Sequence, residues 1–168
     1  MTRQPLHSAH DGVPRPGRTG LAQPVAAVLT DRVDDVAVAE AAVRMALTRR
    51  VPLLLIVAMP PRIRRASLAP TSAPVRAVLA RVMPKVGPHG TGCIPEVLHL
   101  PAGRGSRLAA AEALLALATR HRAPHVVAAR RGPEGLDGLA LIEAAALRSG
   151  PSVHVVAPAR SPRHPLSP

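Results

Sequence analysis

Gly132 and Gly135 stand three apart, just after an apolar run over residues 125–129 and the pair Arg130 and Arg131. Glycines so placed let a backbone approach phosphate oxygens, and a helix starting just beyond would add N–H donors and a positive dipole end. Glu134 inside this segment and Asp137 after it would oppose the anion that Arg130 and Arg131 attract. A second chemistry-bearing position is Asp31, preceded by Thr30, at the end of the apolar run 25–30. An aspartate there either shapes a turn or caps a helix, or it meets a ligand beyond the carboxyl end of a strand.

Other reactive side chains fall into no catalytic pattern. Gly103-Arg-Gly-Ser106 is not a Gly-x-Ser-x-Gly elbow, and Ser106 reads as the cap of a following helix. No nucleophile or acid–base pair can be assigned, so an enzyme is not expected. Of the eight histidines, His121 and His125 are four apart but straddle a helix end and a strand start. No Asp, Glu or Cys is spaced to complete a metal site with them, so no metal is expected. Cys93 is the single cysteine, which excludes a disulfide within the chain.

The elements that must position these residues alternate along the chain. Apolar runs occupy 25–30, 52–59, 96–100, 125–129 and 152–157, several of them continuous in Val, Leu and Ile. Continuous runs are expected of strands buried on both faces, as in a parallel sheet. Between them lie segments of helical spacing: Val36, Ala39, Val43, Ala46 and Leu47, with Asp34 or Asp35 as cap; Val75, Val78, Leu79 and Val82; Leu108, Ala111, Leu115 and Ala118; and Leu139, Ile142 and Ala146, behind Asp137. Residues 60–73 and 84–92, rich in Pro and Gly, read as loops. The fold class is therefore α/β, an open, mostly parallel five-stranded sheet with helices on both faces, joined by right-handed crossovers. It occupies residues 24–158, between flexible tails at 1–23 and 159–168.

Composition narrows the partners. The 168 residues include no Phe, Tyr or Trp, so the core must be packed from Val, Leu, Ile and Ala. The formal charge of +12 suggests a polyanion binder, but the basic residues are nearly all Arg and are spread over different elements. Aromatic platforms for single-stranded bases are absent, so nucleic acid is not the expected partner. No run approaches the ~18–20 apolar residues that cross a bilayer, and no apolar stretch follows Arg3. The cytoplasm is the expected location, with no membrane role.

Three passages resemble the universal stress protein family. Val25-Ala-Ala-Val-Leu-Thr-Asp31, with the small residues from Ala37 to Ala46 after it, is similar to the family's opening strand and helix. Leu53-Leu-Leu-Ile-Val57 is similar to its second strand, and the stretch from Ala113 to Val127 to its passage from third helix to fourth strand. Gly132-Pro-Glu-Gly135 matches the first half of the family's phosphate signature, Gly-x-x-Gly, then about nine residues and Gly-Ser or Gly-Thr. The second half is missing, because Ala145 and Ala146 stand in its place. The resemblance implies a Rossmann-like domain with a degenerate ATP-binding motif. It places any ATP or other adenine nucleotide against Thr30, Asp31, Arg130, Arg131, Gly132 and Gly135. It also implies a homodimer through the last strand, from Ser152 to Ala157. The expected function is non-catalytic regulation in a stress response, through self-association or an unknown protein partner. The alternatives are an adenine-nucleotide switch and a basic polyanion binder.

Overall fold

The computed structural model describes residues 23–61, 68–87, 92–102 and 105–157. The expected tails, apart from Gln23, and residues 62–67 of the long loop lie outside the described residues. Nine elements follow in order: β1 (Val25–Leu29), α1 (Asp35–Arg49), β2 (Leu53–Met59), α2 (Ala73–Val86), β3 (Cys93–His99), α3 (Ala109–Arg120), β4 (His125–Ala129), α4 (Gly138–Arg148) and β5 (Ser152–Val156). The strands form one parallel sheet in the order β3-β2-β1-β4-β5. The expected architecture is thus observed, and strand order reverses between β1 and β4.

The period-two alternation of the central strands sorts their side chains into two cores. Val25, Ala27, Leu29, Leu53, Leu55 and Val57 meet α1 and α2, whereas Ala26, Val28, Leu54 and Ile56 meet α3 and α4. All five residues of β1 are buried, as a central strand covered on both faces requires. Alanine lines the helices where they touch the sheet: Ala39, Ala42 and Ala46 on α1, and Ala140 and Ala144 on α4.

That alanine lining corrects two of the expected helix faces. On α1, Leu47 is 39% exposed, while Val38 and Ala42 lie inside. On α4 the expected stripe faces outward: Leu139 is 68% exposed, Ile142 is 47% exposed and Ala146 is exposed too. The buried face is Ala140, Leu141 and Ala144, and the cause is close packing. A Cβ on Gly138 would lie 2.8 Å from the Val155 methyls, a gap too small for a branched side chain.

Two boundaries also differ from expectation. The helix α2 runs on through Pro84 to Val86, because Val82 and Val86 are both buried and hold its last turn on the sheet. The strand β3 starts at Cys93 and pairs in seven steps with β2, tolerating Pro95 because it is an edge strand.

The orientation of α4 predicts opposite outcomes for two adjacent types of substitution. Leu141→Ala should cost about 2–5 kcal/mol, and Leu139→Ala should stay within about 0.5 kcal/mol of the parent. Urea unfolding followed by far-ultraviolet circular dichroism measures both; equal effects would reverse the assignment of faces.

Candidate functional site at the carboxyl edge of β1 and β4

The ladder between β1 and β4 runs from Val25 opposite His125 to Ala27 opposite Val127 and stops there. On its other side β1 stays paired to Leu29 opposite Val57, and β4 stays paired to Ala129 opposite Val156. The two strands therefore part at the reversal of strand order, the usual ligand position in open α/β sheets. Carried forward, the same register sets Thr30 level with Arg130. Topology thus brings Thr30, Asp31, Arg130, Arg131 and Gly132 to one edge, as the sequence leads one to expect.

On the β1 side, a carboxylate from α1 organises the loop. Asp35, 1% exposed, is the single buried charged residue among those described. Its Oδ1 accepts the Thr30 N–H at 2.9 Å and its Oδ2 accepts the Arg32 N–H at 3.1 Å. The Thr30 hydroxyl is 3.4 Å from the same Oδ1. Burial pushes the Asp35 carboxyl up from its ordinary value, while the Thr30 and Arg32 N–H groups and the Arg81 guanidinium pull it down, and burial wins. Asp34 occupies the cap position of α1 without a side-chain hydrogen bond, so the expected cap is replaced by this backward reach of Asp35.

Asp31 adopts a left-handed φ of 60°, the conformation of a turn residue, and caps no helix. Its Oδ1 lies 2.6 Å from the Arg81 guanidinium of α2, which also stands 3.5 Å from Asp35 Oδ2. Arg81 is the residue that sequence reading missed; it sits off the apolar stripe of α2, and its partners are 46 and 50 positions away. Asp31, in the loop after β1, and Asp35, on α1, therefore share one cation supplied by α2.

The β4 side is a folded-back loop. The Leu136 N–H donates to Pro133 O at 2.9 Å, and the Gly138 N–H donates to Arg130 O at 3.3 Å. A Cβ on Gly132 would stand 2.5 Å from Leu136 O, so only glycine fits this turn. Gly135, at φ +76°, turns away from the edge toward α3, where a Cβ would stand 2.9 Å from Arg107 O. Both glycines thus have structural duties. Arg130 and Arg131 are exposed, and among the described residues neither makes an ion pair.

The N-terminus of α4 already holds an anion of its own. Asp137 Oδ1 accepts the Leu139 and Ala140 N–H groups, each at 3.0 Å. Beside the loop, Glu134 borders a cleft of about 550 Å³ with Leu100, Pro101, Ser106 and Arg107. The Ser106 hydroxyl, three residues before the start of α3, accepts the Leu108 N–H at 3.2 Å, and Leu108, not Ser106, takes the cap position. No group of three potential metal ligands occurs among the described residues.

Comparison with solved structures places this frame. A protein of the universal stress protein family from Burkholderia pseudomallei is similar at a TM-score of 0.58 and 14% identity, over 82% of this chain and 97% of that one. A universal stress protein in complex with cAMP is similar at a TM-score of 0.55 and 19% identity, over 82% and 98%. The universal stress protein of Archaeoglobus fulgidus in complex with dAMP is similar at a TM-score of 0.53 and 18% identity, over 80% and 98%. The sequence matches no protein-family model and no curated protein.

Because Gly135 is fixed by its backbone conformation, Gly135→Ala should destabilise the protein by at least about 1–2 kcal/mol, the ordinary cost of a left-handed non-glycine residue. Asp137→Ala should cost about 1 kcal/mol through the lost cap. Thermal unfolding of the two variants measures both, and a neutral Gly135→Ala would show that the loop does not dock on α3. In architecture, a five-stranded parallel sheet between helices, the chain has the fold of these universal stress proteins.

Proposed function

We propose that the protein is a non-catalytic regulator of universal stress protein type that acts by self-association through β5 and the outer face of α4. The observation that carries this reading is an apolar surface beside a sheet edge that no other strand among the described residues covers. Leu139, Ile142 and Leu147 are exposed on α4, and Val155 is 38% exposed on β5, which packs against the start of α4 at Gly138. In β5, the Ser152 N–H and Val156 O bond toward β4. The strand's alternation then turns the backbone N–H and C=O groups of Val153 and Val155 outward, where a second strand would pair with them. An unpaired edge flanked by exposed Leu and Ile is costly to leave in water and favourable to cover. Sedimentation velocity tests the proposal: the parent chain should run as a dimer and Ile142→Glu as a folded monomer. A parent protein that stays monomeric at high concentration would sink this reading.

A second reading, an adenine-nucleotide switch, draws support from the two similar structures described as complexes with cAMP and dAMP. On it the ligand would lie at the parting of β1 and β4, with Thr30 and Asp31 on one side and Arg130 to Gly132 on the other. Against it stands Asp137, whose carboxylate occupies donors that a phosphate would need. Because the chain has no Trp or Tyr, a bound base would dominate its absorbance at 260 nm. The dimer reading expects a flat spectrum from nuclease-treated protein and no rise in melting temperature with ATP. The nucleotide reading expects a rise that Asp31→Ala abolishes.

A further inference from the structure

We propose that His125 and His154 form a two-histidine chelate for one divalent transition-metal ion at the β5 edge of the sheet. The two side chains come from adjacent parallel strands, β4 and β5, in which His125 pairs with Ser152 and Val127 with His154. Residues two apart on a strand point to the same face. His154 therefore shares the α1 face of the sheet with Val156, which packs against the core beneath α1 and α2.

His125 Nδ1 and His154 Nε2 are 3.2 Å apart, with ring centroids 5.2 Å apart and the planes tilted by 53°. Metal–imidazole bonds of about 2.0–2.1 Å at a tetrahedral angle need the two nitrogens about 3.3 Å apart. The two nitrogens therefore already have the spacing of a chelate, and ring rotation must turn both lone pairs from each other toward one ion. Imidazole nitrogens suit zinc, copper and nickel. Both rings are only half-buried, and β5 ends the sheet, so water can fill the remaining coordination positions.

The protons balance without a co-reactant. In the metal-free pair, one ring donates N–H to the other's lone pair. When the ion enters, that hydrogen moves through solvent to the far nitrogen of the same ring. The ligating atoms become His125 Nδ1 and His154 Nε2, with hydrogens on His125 Nε2 and His154 Nδ1. Neutral imidazoles are required, and burial, the Arg49 guanidinium and His154 all hold His125 below its ordinary pKa of 6.5. Arg49, at the end of α1, is close enough for its charge to act on His125, and it opposes a cation. On β1, the residue level with His125 is the apolar Val25.

The same depressed pKa fixes the sign of a pH effect in the metal-free protein. The unfolded chain takes up the His125 proton near pH 6.5, before the folded chain does. Stability from this group is present above about pH 6.5 and is lost as the pH falls below it. Metal binding should weaken over the same range, as protons compete for both rings.

The test titrates Zn2+ into the full chain at pH 7.5, with melting temperature and calorimetric affinity as readouts. The parent should be stabilised by the ion. His154→Gln, with its folding checked by circular dichroism, should lose the stabilisation and bind at least about tenfold more weakly, the low end of what even an outer partner of a metal ligand contributes. Arg49→Gln should tighten binding. Cu2+ bound to the parent should show two imidazole nitrogens by electron paramagnetic resonance, and one or none in His154→Gln. Histidines outside the pair are common to all these proteins and cancel in the comparison. Equal Zn2+ affinity in the parent and His154→Gln, or no stabilisation of the parent, would overturn the proposal.

Discussion

A core without aromatic rings constrains everything else in this molecule. Phe, Tyr and Trp fill space with single large side chains, whereas Val, Leu, Ile and Ala must fill it by bringing backbones together. The helices α1 and α4 accordingly meet the sheet largely through alanine, with Ala39, Ala42 and Ala46 on one face and Ala140 and Ala144 on the other. Gly138 takes the same logic to its limit where α4 crosses Val155. Such seams leave little slack, so larger apolar residues are displaced outward. Leu139, Ile142 and Leu147 face solvent, and Leu141 is the one large side chain of α4 that the sheet side takes in.

Close packing also decides the shape of the carboxyl edge. Helices drawn tightly onto the sheet need short, well-anchored entry loops, and the anchors are the chain's own carboxylates. Asp35 takes the N–H groups of Thr30 and Arg32, and Asp137 takes those of Leu139 and Ala140. Gly132 and Gly135 serve the same compaction, one by letting Leu136 fold back over it and one by letting the loop touch Arg107. The Gly-x-x-Gly segment is therefore fully explained by packing, whether or not a ligand ever lies above it.

The frame was legible in the sequence because burial on both faces leaves long apolar runs. The apolar run 125–129 coincides with β4, and the runs 25–30, 52–59 and 152–157 match β1, β2 and β5 to within a residue. The face of α4 is not legible in the sequence because Leu and Ile outweigh Ala in an apolar stripe, while contact distance favours Ala. The first residues of β3 were hidden by Pro95 and the Gly-rich approach to Cys93, which an edge strand tolerates. The location of the candidate site followed from strand order, but its electrostatics did not. The bond between Arg81 and Asp31 joins residues 50 positions apart. The contact of His125 with His154 depends on a strand register that no local pattern encodes.

The placement of charge bears most directly on which ligand the crevice can take. Helices that run antiparallel to the strands end at the amino edge of the sheet. Arg49 and Arg50, Arg120 and Arg122, and Arg148 lie at or just past those helix ends, where cations complement the negative end of the dipole. Five of the 22 basic residues thus have a structural reason that needs no polyanion. At the opposite edge the balance differs. Asp31, Asp34, Asp35, Glu134 and Asp137 are five of the chain's ten acidic residues, and all lie beside or just beyond the carboxyl ends of β1 and β4. Two of the arginines at that edge, Arg81 and Arg107, are already paired with carboxylates. Among the described residues, Arg32, Arg130 and Arg131 remain to meet an anion. Among the described residues beside β1 and β4, these carboxylates are about balanced by arginines, so a phosphate arriving there would meet little net positive charge from them. Its best donors, the first N–H groups of α4, would have to be taken from Asp137, whose displaced carboxylate would then stand beside it. Polar recognition of a nucleoside survives that arithmetic better than recognition of a polyphosphate does.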